Sequence, residues 1–427
     1  MKAICCRLIV AVGSAAILVL LLVSNLMAAP SIERLVRLTR GTRQSLQPSL
    51  SNEGNRVAFE SDSDLLGQGI VDDQFEVWLY DRKTLTVTRV TTASGSGSRY
   101  SHNSSLSGDG TKIAFQSDSN FPGYTVPEGQ DEIWLYNIAN LTYTRVTTGS
   151  PVNRQSQNPS LNDAGTVLAF ASTSALQGVT IPVGQFEIWL YDIQSATYTR
   201  ITTGTTAGLG PSNNPSLSGD GTRIAFESRT NLLGVPDAPV TRPEIWLYDT
   251  QTLTFTRITT ASGTDRESRN PAISRDGTKI VFESDSNLAS QVITNDYHEI
   301  WLYDIVAVTY TRVTTATGYG YRESREPSLD GTGSKVAFSS SSDLLHEDLD
   351  PGAYEIWLYD VPTRQLTRLT QASDTSRDSG TPSIAASGRL VAFRSDSDFL
   401  SQGIISGQDE IWLYDGRERT YLPLVLK

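Results

Sequence analysis

The sequence predicts an all-β protein: a seven-bladed β-propeller of four-stranded antiparallel blades, closed into a ring by an N-terminal outer strand. Among the 427 residues, the motif Glu-(Ile/Val)-Trp-Leu-Tyr-(Asp/Asn) occurs seven times and contains all seven tryptophans, at spacings of 56, 55, 57, 55, 56 and 55. A second motif, Pro-(Ser/Ala)-(Leu/Ile), occurs six times, and Ser104 replaces its proline in one further copy. A repeat of this length without helical periodicity is typical of a propeller.

Each repeat is predicted to contain four short strands, as the unit around Trp134 illustrates. The first strand ends on the Pro-Ser-Leu motif, and a Ser-Gly-Asp-Gly turn at 107–110 leads into the second strand at 112–115. The third strand is 132–136, in which Ile133 and Leu135 face one way and Trp134 and Tyr136 the other. The fourth, at 143–147, alternates polar and apolar residues like a half-exposed outer strand. Because both faces of the third strand are apolar, the sheets must stack on each other around an axis.

The ends of the repeat array predict how the ring closes. Arg-(Val/Ile/Leu)-Thr, the fourth-strand motif, occurs once before the first repeat and is missing after the last. We therefore expect Leu35 to Thr39 to supply the outer strand of the blade that contains Trp412.

The first 29 residues are predicted to be a signal peptide or an N-terminal anchor, and residues 30–427 the propeller. Lys2 and Arg7 precede an uncharged apolar run from Leu8 to Val23, followed by small residues. Cleavage and retention as an anchor both stay open, and both export the propeller to the outside or the cell envelope. The membrane is involved only through this leader, if it is uncleaved.

Composition excludes several function classes. The formal net charge is −12, and −14 without the two leader cations, so non-specific nucleic-acid binding is not expected. Both cysteines lie in the leader, which leaves the propeller without a disulfide, a thiolate nucleophile or a cysteine-ligated metal.

Several motifs are similar to the WD40-like repeat of TolB-type propellers. They are Ser-Gly-Asp-Gly-Thr-Lys-Ile-Ala-Phe at 107–115, Glu-Ile-Trp-Leu-Tyr-Asn at 132–137 and Thr-Arg-Val-Thr at 144–147, and the resemblance extends over 34–415. It implies an extracytoplasmic propeller that acts as a scaffold for protein contacts. The α/β domain that precedes the propeller in the name-giving protein has no counterpart in this sequence.

The connections between second and third strands are long and varied, for example 62–74, so we expect recognition on the face that carries them, the long-loop face. The connections from each fourth strand to the next first strand lie on the same face. They contain a recurring Arg and, before the second motif, a recurring Asn, which we predict to surround the mouth of the central channel: Arg43, Arg99, Arg154, Arg266, Arg322, Arg377, Asn103, Asn158, Asn214 and Asn270. Gly210 interrupts the arginine series. A ring of guanidinium groups would suit an anionic ligand; the alternative, which recurrence favours, is structural pairing with neighbouring acidic residues.

No catalytic residues are predicted. The three histidines, His102, His298 and His346, do not have metal-ligand spacing, and no Gly-x-Ser-x-Gly elbow occurs. The Glu before each Trp recurs seven times, which indicates a role in the fold. Ser-Asp-Ser-(Asp/Asn) segments resemble the start of a calcium loop but lack its glycine and closing glutamate, so no cofactor is predicted and calcium stays open without assigned ligands.

The sequence thus predicts an exported, non-enzymatic and monomeric scaffold that binds a protein or an anionic ligand through the long-loop face. The alternative is a metal-dependent polysaccharide lyase or glycan-processing enzyme with its site at the channel mouth, because some sugar-acid lyases similar to TolB-type propellers hold a metal with inward histidines.

Overall fold

The computed structural model describes residues 34–417 except 71–72, 94–98, 150–153, 183, 204–209, 234–241, 261–265, 294–296, 317–321, 347–351, 373 and 375. The predicted leader at 1–29 and the end of the chain at 418–427 lie outside the described residues. Within the described part, no helix is long and apolar enough to cross a membrane.

Seven four-stranded antiparallel sheets form the blades, each in simple up-and-down order. Blades 1 to 3 are β2 Ser45–Leu50, β3 Arg56–Ser61, β4 Glu76–Asp81, β5 Thr86–Arg89; β6 Ser101–Leu106, β7 Lys112–Ser117, β8 Glu132–Asn137, β9 Thr142–Arg145; and β10 Ser156–Leu161, β11 Val167–Ser172, β12 Glu187–Asp192, β13 Thr197–Arg200. Blades 4 and 5 are β14 Ser212–Leu217, β15 Arg223–Ser228, β16 Glu244–Asp249, β17 Thr254–Arg257; and β18 Ser268–Ile273, β19 Lys279–Ser284, β20 Glu299–Asp304, β21 Thr309–Arg312. Blades 6 and 7 are β22 Ser324–Leu329, β23 Lys335–Ser340, β24 Glu355–Asp360, β25 Gln365–Arg368; and β26 Ser379–Ile384, β27 Leu390–Ser395, β28 Glu410–Asp415, with β1 Leu35–Arg37. Two single 3₁₀ turns, Leu176–Gly178 and Leu288–Ser290, lie in the loops.

The N-terminal strand closes the ring, as the shifted fourth-strand motif predicts. Strand β1 pairs antiparallel with β28, with Leu35 opposite Tyr414 and Arg37 opposite Trp412. The backbone N–H of Leu38 continues the ladder by donating to Ile411 O over 2.7 Å. The last blade is therefore built from both ends of the chain.

The hydrophobic core lies between neighbouring blades, because both faces of each third strand are apolar. Trp134 and Tyr136 of β8 pack with residues of blade 1 such as Val77, whereas Ile133 and Leu135 pack with Trp189 and other residues of blade 3. All seven tryptophans are buried.

The Glu of the tryptophan motif has the fold role expected from its recurrence. Glu132, fully buried at the start of β8, accepts hydrogen bonds from Thr147 Oγ1 over 2.5 Å, Arg145 Nη2 over 3.1 Å and Gln130 Nε2 over 2.8 Å. Arg145 and Thr147 come from the fourth-strand motif, so the two motifs recur together because each buried carboxylate needs these donors. Arg37 and Thr39 donate to Glu410 in blade 7 in the same way.

The serine of the Pro-Ser-Leu motif joins each blade to the next. The backbone N–H of Leu161 donates to Ser105 Oγ of the preceding blade over 3.1 Å, and five other blade pairs show the equivalent bond. These bonds satisfy the exposed N–H groups of the innermost strands, which are sheet edges. Between blades 5 and 6 the serine is replaced by Ala272. The side chain opposite the backbone N–H of Leu329 therefore has no hydroxyl oxygen that could accept this bond.

Substituting Ala272→Ser is expected to supply the missing bond and to raise the free energy of unfolding by about 0.5–1.5 kcal/mol. Urea denaturation of the variant measures the gain. The matched control is Ser216→Ala, which removes the equivalent bond to Ile273 and should cost a similar amount. An Ala272→Ser protein no more stable than the wild type would show that the bond does not form there.

Candidate functional site

The predicted arginines lie at the start of each blade on the long-loop face, and their guanidinium groups are turned into the long loops. Arg154 donates to Thr173 O over 2.6 Å and to Ile181 O over 3.0 Å. The same pattern, with one donor to the carbonyl that follows the second strand, recurs at Arg99, Arg266, Arg322 and Arg377, and Arg43 occupies the equivalent position in blade 1. Each of these arginines therefore holds the long loop of its own blade in place. Binding of an anion by this ring stays a prediction.

In blade 4, an arginine from the second strand's exit lies against the glycine that interrupts the arginine series. A side chain at Gly210 would overlap the Cβ of Arg229, which stands where other blades have Asp62, Asp118 or Asp285. The arginine has therefore moved from the first strand's entrance to the second strand's exit. An alignment of the seven repeats that compares the positions of Gly210 and Arg229 together could have shown this exchange in the sequence.

The predicted asparagines, in contrast, come together in the central channel. The position before the Pro-Ser-Leu motif has a positive φ of 47–56° in every blade, at Gln47, Asn103, Asn158, Asn214, Asn270, Glu326 and Thr381. A bulge in each innermost strand produces this conformation; in blade 3 it lies between Gln157 and Ser160. Asparagine tolerates the left-handed region better than most residues, which explains its recurrence. We call these seven residues the amide ring.

Side chains of the amide ring bond to one another from blade to blade. Asn103 Nδ2 donates to Asn158 Oδ1 over 3.3 Å, Asn158 Nδ2 to Asn214 Oδ1 over 2.5 Å, and Asn214 Nδ2 to Asn270 Oδ1 over 3.1 Å. A channel cavity of about 360 Å³ is lined by this ring except Thr381, together with neighbouring prolines and serines.

Three rows of residues around the long-loop end of the channel vary between blades, although the neighbouring strand motifs recur. We call them the mouth rows. The first row follows the first strand's serine and is Leu46, His102, Gln157, Asn213, Arg269, Arg325 and Gly380. The second faces it on the next strand: Glu60, Gln116, Ala171, Glu227, Glu283, Ser339 and Arg394. The third precedes the Glu of the tryptophan motif: Phe75, Asp131, Phe186, Pro243, His298, Tyr354 and Asp409. Sequence reasoning missed these rows because it looked for what recurs.

Blades 5 and 6 carry a connected set of mouth contacts. His298 Nδ1 lies 3.0 Å from Glu323 Oε1, and Tyr354 Oη donates to Glu323 Oε2 over 3.2 Å. The guanidinium carbon of Arg325 lies 3.7 Å from the centre of the Tyr354 ring, a cation–π contact. In blade 7 Arg394 pairs with Asp409 over 3.0 Å.

Burial shifts the pKa values of four acidic groups in the mouth rows. Burial raises the pKa values of Glu60, Glu227 and Asp409, and it raises the pKa of Glu283 to about 7, against hydrogen bonds from Asn270 Nδ2 and the Glu326 N–H. For His102, burial acts to lower the pKa, but the hydrogen bond and charge of Asp131 outweigh it and raise the pKa.

The raised pKa of Glu283 makes stability depend on pH. Between its ordinary value of 4.5 and about 7, the folded state holds a proton that the unfolded state has lost, so the stabilisation present below pH 4.5 is lost as the pH rises to 7. We expect Glu283→Gln to gain about 1–3 kcal/mol relative to the wild type between pH 5 and pH 8. Chemical denaturation at both pH values measures this difference. The control is Glu53→Gln, at an exposed residue, whose difference in unfolding free energy from the wild type should not depend on pH. If the difference for Glu283→Gln were equally independent of pH, the assignment would be contradicted.

The other end of the channel is surrounded by backbone hydrogen bonds between neighbouring blades. The turns between first and second strands form a complete ring of seven N–H···O=C bonds of 2.7–3.0 Å, through Asn52, Gly108/Asp109, Asp163, Gly219, Arg275/Asp276, Gly331 and Ala386. Asp163 of blade 3 and Arg275 of blade 5 form an ion pair at this end. A side chain at Gly219 would collide with the Asp163 carboxylate, which explains the glycine between them.

The acidic and histidine side chains are spread over several blades. Among the described residues, no three His, Cys, Asp or Glu side chains are grouped so that they could hold a metal ion. The three histidines lie towards the long-loop face as expected, but in blades 2, 5 and 6. In the Ser-Asp-Ser segments, Asp118 accepts backbone N–H groups from Tyr100 and Gly129, both over 2.9 Å, and so caps the turn at the end of the second strand.

No protein-family model matches the sequence, and no curated protein sequence matches it significantly. Solved structures with a similar fold include an oligogalacturonate lyase in complex with manganese, at 15% identity over 90% of this chain and 93% of that chain, with a TM-score of 0.56. The β-propeller domain of the trilobed protease from Pyrococcus furiosus is 12% identical over 88% of this chain and 97% of that chain, with a TM-score of 0.56. TolB from Acinetobacter baumannii is 16% identical over 88% of this chain and 79% of that chain, with a TM-score of 0.43.

The chain is a seven-bladed β-propeller. This confirms the fold that the repeat motifs predict. The Pyrococcus domain has an open velcro topology, whereas β1 closes the ring of this propeller. Since all three identities are below 25%, the likeness is one of fold, and neither an activity nor its absence follows from it.

Proposed function

We propose that this propeller is an exported, non-enzymatic scaffold that binds a partner protein through its long-loop face. The observation that carries the proposal is the contrast between the mouth rows and the rest of the repeat. Side chains that the fold needs, such as Trp134 and Glu132, recur in all seven blades. Side chains that vary between blades while surrounding one opening are those expected of a recognition surface on a rigid scaffold.

Exposed apolar side chains on the long loops support a protein as the partner. Six blades present one large apolar residue there: Leu66, Tyr124, Leu233, Val292, Leu345 and Ile405. Val292 is 66% and Ile405 70% exposed. Apolar residues on a face with a polar centre are typical of protein interaction sites. An anionic small ligand has less support, because the predicted arginines already donate to loop carbonyls.

A capture experiment tests the proposal with variants on opposite faces. The tagged propeller is used as bait in cell-envelope extract, together with Val292→Ser/Ile405→Ser on the long loops. The control variant is Leu85→Ser/Leu253→Ser, which removes equally exposed apolar residues from hairpins on the opposite face. We expect the wild type and the control variant to capture the same protein. The amount that the long-loop variant captures should be at least tenfold lower. Retention by all three, or by none, would contradict the proposed face.

Export and the absence of catalysis are tested separately. Fractionation of cells should place the protein outside the cytoplasm, and a cytoplasmic location would contradict export. The metal-dependent lyase predicts stoichiometric metal in the purified protein and cleavage of acidic polysaccharides, both lost on substitution of His102. Finding both would replace the scaffold with the enzyme.

A further inference from the structure

The channel cavity contains one carboxylate among amides. Glu326 occupies the amide-ring position that Asn103, Asn158, Asn214 and Asn270 occupy in blades 2 to 5, with a φ of 56°. Its Oε2 accepts the Thr381 N–H over 2.7 Å and Ser339 Oγ over 3.1 Å. Its side chain lines the cavity. Arg394, which is paired with Asp409, attracts this carboxylate electrostatically, and no described cation lies within ion-pair distance of it.

Hydrogen bonding fixes which way each amide points. The Nδ2 amino groups of Asn214 and Asn270 donate to Glu227 and Glu283 over 3.1 and 2.9 Å. The Asn158 N–H donates to Gln116, so the Gln116 atom there is its oxygen, and Asn103 must also offer its Nδ2. The ring therefore runs in one direction.

This orientation leaves mainly oxygen atoms for a ligand. Asn103 and Asn214 each use both N–H groups of Nδ2, whereas Asn158 and Asn270 each use one. The Oδ1 atoms of Asn158, Asn214 and Asn270 each accept one bond and retain a lone pair. Together with the Glu326 carboxylate, the cavity presents more acceptors than donors and a negative charge.

We propose that the channel cavity binds a primary alkylammonium group, which donates its N–H groups to Glu326 and to the asparagine Oδ1 atoms. An ammonium group has three donors, no acceptor and a positive charge, and each property matches the cavity. A free alkylamine and a lysine side chain of a peptide share this chemistry.

Isothermal titration calorimetry at pH 7 tests the site with n-butylammonium chloride and with a short peptide that contains one lysine. We expect saturable binding of butylammonium. Binding of the peptide as well would assign the cavity to lysine side chains, and binding of butylammonium alone would assign it to free alkylamines. Tetramethylammonium, which has the charge but no N–H, and butanol, which has the chain but no charge, should bind at least tenfold more weakly. Equal binding of tetramethylammonium, or competition by equimolar KCl or MgCl₂, would show a simple cation site and overturn the proposal.

Two variants on the amide ring make the test specific to the cavity. Glu326→Gln should weaken butylammonium binding at least tenfold, and Glu53→Gln, the same substitution at an exposed turn, should leave it unchanged. Gln47→Glu places a second carboxylate at an equivalent ring position and should strengthen binding severalfold, which keeps the test decisive if Glu326→Gln folds poorly. Unchanged affinity in both ring variants would overturn the site. The capture experiment uses other residues, so either proposal can fail while the other stands.

Discussion

Deleting residues 31–41 should destabilise the whole propeller. The deletion removes β1 and the buried side chains Leu35 and Leu38, each worth about 1.5–3 kcal/mol. It also removes Arg37 and Thr39, which leaves the fully buried Glu410 without these partners at a cost of about 3–5 kcal/mol. The sum is comparable with the entire stability of a typical domain, about 5–15 kcal/mol.

Differential scanning calorimetry of the deletion variant measures this effect. We expect loss of the single cooperative transition or a large fall in its midpoint. A chain that starts at Arg34 and so keeps β1 is the control and should unfold like the longer protein. An unchanged midpoint for the deletion variant would mean that the pairing between β1 and β28 does not hold the ring closed.

Substituting one of the seven buried glutamates should have the next largest effect. Glu132→Ala leaves Arg145, Thr147 and Gln130 without their shared acceptor in a buried position. Removing one partner of a buried ion pair typically costs about 3–5 kcal/mol. Urea denaturation should therefore show a much lower midpoint for this variant.

The same loop offers a control for this substitution. Glu128 is exposed four residues earlier in the chain, and Glu128→Ala should change the free energy of unfolding by no more than about 0.5 kcal/mol. If Glu132→Ala behaved like Glu128→Ala, the carboxylate would be a replaceable part of the blade, and another reason for its sevenfold recurrence would be needed.

The fold could be predicted from the sequence because its determinants repeat. Trp134 and Ile133 alternate on one strand, and seven copies of that strand permit few arrangements other than a ring. The displaced copy of Arg-Leu-Thr at 37–39 even predicted the closing strand. Local patterns carry this information, so no knowledge of distant contacts was required.

The candidate site could be predicted only in part. The asparagines were placed correctly at the channel because they adjoin the innermost strand, but the direction of the Arg154 side chain depends on carbonyl groups of a loop some twenty residues away. The exchange between Gly210 and Arg229 and the mouth rows combine residues from different strands and blades. Their significance depends on three-dimensional neighbours, which spacing along one chain does not give.

The replacement of one serine by Ala272 has a mechanical consequence. The boundary between blades 5 and 6 lacks the serine bond that joins the other six pairs of innermost strands. These two blades are joined near the mouth by His298 and Glu323 and in the channel by the Glu326 N–H and Glu283. Opening of the channel wall at this boundary would therefore have to break side-chain contacts, but it would leave the closure made by the two chain ends intact.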